Sequence, residues 1–284
     1  MRVGSFEVVP LIDGAGTDDA ETLRRPGHQD PWCGHEDQLV DGAIPLTFGG
    51  FHVRTVSRVM VVDLGVGPGD SGRFTGGGLL PALRANGVAP QDVTDVLLTH
   101  LHFDHIGWAS RDGIPWFPRA DYRLHLADWR RFVEDPVTRH PIAVEKLQPI
   151  ADRVVPFDAE TRIAAGVTAR PLPGHTPGST AYEFESDGDR LLLLGDIAHS
   201  TVEIAEEGWE SRFDVDADAA RASRARALAD LADTPTTAAL AHLRDLQFGY
   251  VRRAARGYAW HRRDDRAAAW AGGACSSFDG ERRR

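Results

Sequence analysis

Short apolar runs bounded by Gly, Pro and Asp punctuate the chain, and most have strand length rather than helix length. Residues 3–12 form the first run and predict a strand. "FHVRTVSRVMVVDLG" over 51–65 sets two apolar stretches around Val56 and Ser57, the pattern of a hairpin that ends at Asp63. "VTDVLLTH" (93–100) predicts a buried strand, and "DYRLHLA" (121–127) predicts another that leads into a helix near 127–134. Further strands are predicted near 152–157, 167–172, 180–185 and 190–195, with "TTAALAH" (236–242) as the last. Between them lie helical patterns. "LLPALRANG" (79–87) is closed by Gly87, and 135–150 is helical but interrupted by Pro136, Pro141 and Pro149. "DADAARASRARALADLAD" (216–233) predicts a helix capped by Asp216, with Ala220, Ala227, Leu228 and Leu231 on its inner stripe.

Two segments lack periodicity. Residues 14–45 are rich in Gly, Pro, Asp and His and predict a long loop or lid. "GPGDSGRFTGGG" (67–78) is dense in glycine but has no following GK[ST], so it reads as flexible loop rather than a phosphate cradle. No repeat is evident. Strands alternate with helices in both halves, which predicts a layered α/β or α+β body with sheets inside. One domain is expected over 1–270. The wording becomes Arg-, Ala- and Gly-rich from Arg252, and a disordered tail is expected over 271–284.

Composition narrows the function classes. The 284 residues are 42% hydrophobic and 26% charged, ordinary for a globular protein, and carry a formal charge of −10. That balance argues against nucleic acid as a partner, since phosphate backbones favour a basic surface. No apolar run reaches the roughly 18 residues of a membrane span. "MRVGSFEVVPLIDG" reads as a strand entering a turn rather than a secretion signal. Cys33 and Cys275 do not make a disulfide framework, so a reducing cytoplasm is expected. The Ala- and Arg-rich wording suits a GC-rich bacterial genome.

Candidate chemistry is concentrated in "LLTHLHFDHIGW" (97–108), which packs three histidines and an aspartate between His100 and His105. His100 and His102 directly follow a predicted strand, and residues two apart in extended chain point to one side. Both imidazoles can therefore converge on one cation. Asp104 and His105 fall where the chain turns into a helix, so they can reach a second cation beside the first. Neutral imidazole suits zinc, and carboxylate suits zinc or a harder ion. The remaining ligands must come from distant segments, and each candidate follows a predicted strand: His175 in "PLPGHTPGS", Asp196 in "LLLLGDIAH" and His242 in "ALAHL". With Asp196 bridging, His100, His102 and His175 serve one metal, and Asp104, His105 and His242 serve the other.

These motifs, in this order, resemble the metallo-β-lactamase superfamily over roughly residues 50–245. The resemblance implies an α/β fold, an αββα sandwich of two mixed β-sheets flanked by helices, with the metal site at one edge. It also implies that Asp63 supports the histidine loop. "IPLTFGGFHVRT", "LTHLHFDHIGW", "GHTPGS", "GDIAH" and "FDVDADAARASR" together resemble the bacterial lactonase and organophosphate-hydrolase branch. Glyoxalase II continues its aspartate motif differently from "GDIAHS". The flavodiiron branch carries Glu where this chain has His102. The RNA-processing branch is disfavoured by the acidic charge. After His242, "AHLRDLQFGY" departs from the branch, which implies a different pocket wall.

The implied enzyme is a hydrolase with two zinc ions, iron or manganese being alternative metals. Two cations about 3.5–4 Å apart lower the pKa of water to about 7 and supply a nucleophile. Asp104 or Asp196 is expected to accept its proton and relay it to the leaving group. His199 stands where acyl-homoserine-lactone hydrolases usually have Tyr. A catalytic role there, stabilising an oxyanion or protonating an alkoxide, stands beside that of a packed or solvent-facing histidine. The expected substrate is a small, largely apolar ester, lactone or phosphotriester. Alternatives are a thioester hydrolase of glyoxalase II type, an iron dioxygenase, and a metal-holding accessory protein without turnover. No membrane partner is expected; dimerisation is common in the branch, and 14–45 could serve it.

Other candidates have plainer readings. Cys33 and His35 in "WCGH" lack a second ligand pair and suit a loop, and His125 suits packing beside a strand. For Trp32, Phe48, Phe51, Trp108, Trp116 and Phe117 core packing is the default; lining an apolar pocket is the alternative, to which Trp108 and Trp116 have the better claim because they bracket the loop after the metal motif.

Overall fold

The computed structural model describes residues 1–263. The tail expected over 271–284, and residues 264–270 of the expected domain, lie outside the described residues. In the first half run β1 (Phe6–Asp19), β2 (Ala43–Arg54), β3 (Val59–Val62), α1 (Leu79–Ala85), β4 (Asp95–Leu97), α2 (Phe103–Ile106), β5 (Asp121–His125), α3 (Pro141–Leu147) and β6 (Val154–Phe157). The second half adds β7 (Thr161–Ala164), β8 (Val167–Pro171), β9 (Thr180–Ser186), β10 (Asp189–Leu193), α4 (Val202–Ala205), α5 (Ala217–Leu231), β11 (Thr237–Ala239), β12 (Phe248–Arg253) and β13 (Tyr258–Arg262).

Two mixed sheets result. The first has the order β6-β5-β4-β3-β2-β1, with the short strands Phe74–Gly76 and Gly69–Asp70 beyond β1. Its β3, β4, β5 and β6 are parallel, and β1, β2 and β3 are antiparallel neighbours. The second runs β7 to β13 in sequence order, with β10 and β11 as its parallel pair.

Alternation along the strands decides how the layers stack, because successive side chains leave opposite faces. Met60, Val62 and Leu97 meet Tyr182, Phe184, Leu191, Leu193 and Ala239 between the sheets. Val61 and Val96, the intervening residues, pack outward on Leu79, Leu80 and Leu83 of α1. On the far side Leu192 and Ala238 pack on Ala227, Leu228 and Leu231 of α5. The product is the αββα sandwich implied by the motifs. Asp216 caps α5 as predicted, accepting the Ala219 amide at 3.0 Å.

The expectation of a loop over 14–45 is corrected. β1 continues to Asp19 and pairs with β2 as far as Asp19↔Ala43, after a register shift between Ile12 and Gly14. Glycines that read as loop permit this. A Cβ at Gly14 would strike the Thr75 carbonyl, and one at Gly16 would strike Phe74, both in the short strand that covers β1. "GPGDSGRFTGGG" is therefore partly a small hairpin added to the sheet edge. Residues 20–42 are no free lid either. Leu23 and Trp32 pack with Ile44, Val202 and Trp209, and the Trp32 and Trp209 rings lie 5.1 Å apart. Strands β7, β12 and β13 escaped the apolar pattern because their exposed faces carry Arg, Thr and His.

Candidate metal centre

The strands deliver their C-terminal ends to one edge of the sandwich, and the candidate ligands follow directly. Asp63 comes one residue after β3 and adopts a left-handed backbone (φ 58°). That turn aims its carboxylate across the sheet. Oδ1 accepts the Thr99 amide at 2.8 Å, while Oδ2 accepts the Thr99 hydroxyl at 2.7 Å and faces His105 Nδ1 at 2.9 Å. Asp63 thus fastens the segment after β4 at two points.

From that segment His100 Nε2 and His102 Nδ1 converge to 3.1 Å. His175, after β8, brings its Nε2 to 3.0 Å from the same His102 nitrogen. Asp196, after β10, sets Oδ2 3.7 Å from His100 Nε2 and 3.5 Å from His175 Nε2. The same carboxylate faces the other way as well, with Oδ1 3.3 Å from His105 Nε2 and Oδ2 3.0 Å from His242 Nε2. Asp104 Oδ2 completes that side at 3.5 Å from His242 Nε2 and 3.9 Å from His105 Nε2. All seven predicted ligands are therefore brought together, and Asp196 lies between the two sets.

The donor set fits divalent cations. His105 Nε2 and Asp196 Oδ1 are buried polar atoms without a hydrogen-bond partner, a costly state unless something else satisfies them. Meanwhile the opposite ring nitrogens are engaged: His105 by Asp63, His175 by Asp214 at 3.0 Å, and His242 by the Thr47 carbonyl at 3.2 Å. Such outer contacts hold an imidazole with its free nitrogen toward an ion. Burial and the neighbouring imidazoles keep His100 and His102 well below the usual histidine range, in the neutral form that ligates. Burial alone would raise Asp196, but His242, His105 and His100 hold it well below the usual carboxylate range.

A sequence profile of the metallo-beta-lactamase superfamily matches residues 53–242, a span that contains every one of these ligands. The chain belongs to that superfamily. Membership implies divalent metal binding, in accord with the His and Asp clusters. Among curated proteins this superfamily member is similar to probable metallo-hydrolases of Mycobacterium tuberculosis and Mycobacterium bovis, each 30% identical in an alignment 177 residues long that covers 51% of this chain. The match spans about half the length of those relatives, 54%. Among solved structures it is similar to AidC, a dizinc quorum-quenching lactonase, with 25% identity and a TM-score of 0.80 over 93% of this chain and 96% of that one. The hydrolase AbOPH superposes with a TM-score of 0.80 at 23% identity, covering 92% and 95% of the two chains, a likeness of fold.

Beside the ligands lies a cavity of about 290 Å³, walled by Leu46, Leu101, Phe103, Phe132 and Phe213, with His140 also on its lining. His199 is buried on the same cavity, its Nε2 3.5 Å from Asp196 Oδ2. The default of core packing holds for the six aromatics, and their alternative role as pocket walls is corrected. None of the six predicted aromatics lines this cavity. Trp108, Trp116 and Phe117 belong to the layer under α1 and α3, where Trp108 Nε1 donates to buried Asp13 at 2.7 Å. Phe51 is between the sheets, Trp32 is packed on Trp209, and Phe48 backs the His242 ring at 5.6 Å. Cys33 is exposed, His35 lies 3.4 Å from Glu206, and His125 caps the helix Leu126–Trp129 through the Ala127 amide.

Several supporting carboxylates were not singled out from sequence. Asp214 lies inside the quoted "FDVDADAARASR" and grips His175. Asp128 accepts the Leu101 and Gly178 amides and the Thr176 hydroxyl, which ties the His100–His105 segment to the His175 loop. A Cβ at Gly178 would run into that carboxylate, so glycine is required there. Asp13 accepts the amides of Gly67, Gly77 and Leu79 besides Trp108. Asp13 lies within β1, Asp128 in a short helix and Asp214 in a turn, and none carries a local signal beyond its residue type.

Proposed function

We propose that the chain is a dinuclear metal-dependent hydrolase of a small, largely apolar ester, lactone or phosphotriester. The observation that carries this reading is the pair of ligand sets sharing Asp196, with His105 Nε2 and Asp196 Oδ1 buried and unpartnered between them. When bound, two divalent ions at such a centre supply a nucleophile at neutral pH and polarise a carbonyl or phosphoryl oxygen.

The protein's own groups set the remainder. Asp104 and Asp196 are the carboxylates placed to take the nucleophile's proton and pass it on. His199 directs Nε2 toward the same region and suits donation to a developing oxyanion or a leaving alkoxide. Leu46, Leu101, Phe103, Phe132 and Phe213 exclude water and favour a hydrocarbon arm. The volume near 290 Å³ suits a small reacting group, and a neighbouring cavity of about 560 Å³ that shares Leu46, His199 and His242 leaves room for an attached arm. The name of AidC as a dizinc lactonase supports lactones as the first substrates to try.

Elemental analysis of purified protein tests the centre, with two divalent ions per chain expected. A panel of lactones, aryl esters, phosphotriesters and acyl thioesters tests the substrate class. Turnover confined to thioesters would displace the reading, and a two-metal protein inert toward the whole panel would sink it. His199→Ala with full metal content and unchanged turnover would remove His199 from the mechanism.

A further inference from the structure

Glu203 is 2% exposed and Arg224 is 6% exposed, so an ion pair is held in the interior. Burying two charges costs several kcal/mol per ion before their attraction is counted, and apolar residues of similar volume serve stability as well or better. Packing therefore gives no reason for this pair. Its contacts do. Glu203 Oε1 meets Arg224 Nη1 at 3.0 Å, while Oε2 accepts the amides of His199 at 2.6 Å and Ser200 at 3.1 Å. Arg224 reaches from α5 to the same loop, donating to the Ile197 carbonyl at 3.1 Å, and also to the Trp209 carbonyl beyond α4. The loop that begins with Asp196 is thus held at residues 197, 199 and 200, on both sides of His199.

The His199 ring is set accordingly. Nδ1 lies 3.6 Å from Glu203 Oε2 and has no hydrogen-bond partner of its own, while Nε2 faces Asp196 and the cavity. The ring plane lies within 4° of His242, with centroids 5.5 Å apart. Glu203 holds the backbone on both sides of the His199 side chain by its amide contacts and keeps its carboxylate on the Nδ1 side, which leaves Nε2 as the nitrogen toward the cavity.

We propose that Glu203, anchored by Arg224, is a positioning residue that turns His199 so that Nε2 alone faces the metal centre and its cavity. The kinetic consequence rests on the hydrolase reading above; the ring orientation does not.

The test uses the metal-loaded protein in two variants, Glu203→Gln and the apolar replacement Glu203→Leu/Arg224→Met, which leaves no charge stranded if the single variant fails to fold. Three readouts are taken: metal content, the nitrogen NMR signals of the His199 ring, and kcat and KM for any turned-over substrate. Metal content near that of the parent, an altered His199 ring signature, and kcat reduced about 10–100-fold with little change in KM are expected. Placed on His199→Ala, the same changes should reduce kcat no further. Unchanged ring signals in a folded variant would overturn the proposal, and so would an undiminished loss of kcat in the His199→Ala background. If no substrate is turned over, the hydrolase reading fails, and the ring signals still decide the role of Glu203.

Discussion

Asp128 offers a sharp test of how the two ligand loops are joined. It is 1% exposed, and burial raises its pKa to about 6, against the lowering effect of the Thr176 hydroxyl and the Gly178 and Leu101 amides. In an unfolded chain the value returns to 3.8. A folded-state pKa above the unfolded one contributes stability that is fully present below pH 3.8 and is lost as pH rises through about 6. At about 1.36 kcal/mol per unit, the loss at neutral pH is about 3 kcal/mol. Asp128→Asn carries no charge at any pH and removes this dependence. The parent should therefore gain about 1 kcal/mol over the variant between about pH 7.5 and about pH 5. A constant offset of about 1–3 kcal/mol against the variant is superimposed, because an amide NH₂ would face a donor that the carboxylate now accepts. Urea unfolding of both chelator-stripped proteins at several pH values gives the difference, in which the histidines common to both cancel. A difference that stays flat over that range would refute the reasoning, since it would mean that burial does not disfavour the charged form.

Three further outcomes follow from the geometry. Asp63→Ala strips His105 and Thr99 of their acceptor, and metal affinity should fall about 10–100-fold in a chelator competition, with the fold intact by circular dichroism. Leu193→Ala opens a void between the sheets and should cost about 2–5 kcal/mol in denaturant unfolding, with metal stoichiometry unchanged. Because the ligands come from both sheets, metal should stabilise the chain: free ion at about 1,000 times its Kd adds about 4 kcal/mol, read as a fall in Tm on chelation.

The centre was legible in sequence wherever ligands sat next to one another or directly behind an apolar strand. His100, His102, Asp104 and His105 announce themselves by spacing, and Asp196 and His242 by the runs "LLLLG" and "AALA" that precede them. The supporting carboxylates are different. Nothing near Asp128 or Asp13 in the chain indicates which distant amides they accept, because those partners are joined only by the fold. The same limit explains the aromatics. Trp108 lies close in sequence to the metal motif, yet its indole turns to Asp13, while the cavity takes Phe132 and Phe213 from segments remote from the motif. Strand β1 was cut short because apolar pattern reports burial. Past Ile12 this strand is paired through glycine and acidic residues instead.

Three of the five apolar walls of the cavity come from parts of the chain that hold no ligand. Leu46 belongs to β2, Phe132 to the turn after the helix Leu126–Trp129, and Phe213 to the stretch before α5; no ligand comes from any of these segments. Exchanges at these three positions alter shape and grip while every ligand is retained, with the neighbouring Thr47 and Asp214 still on His242 and His175. Selectivity in this scaffold can therefore change without the loss of a ligand, and a combinatorial library confined to those walls would sample new pocket shapes around the same ligand set.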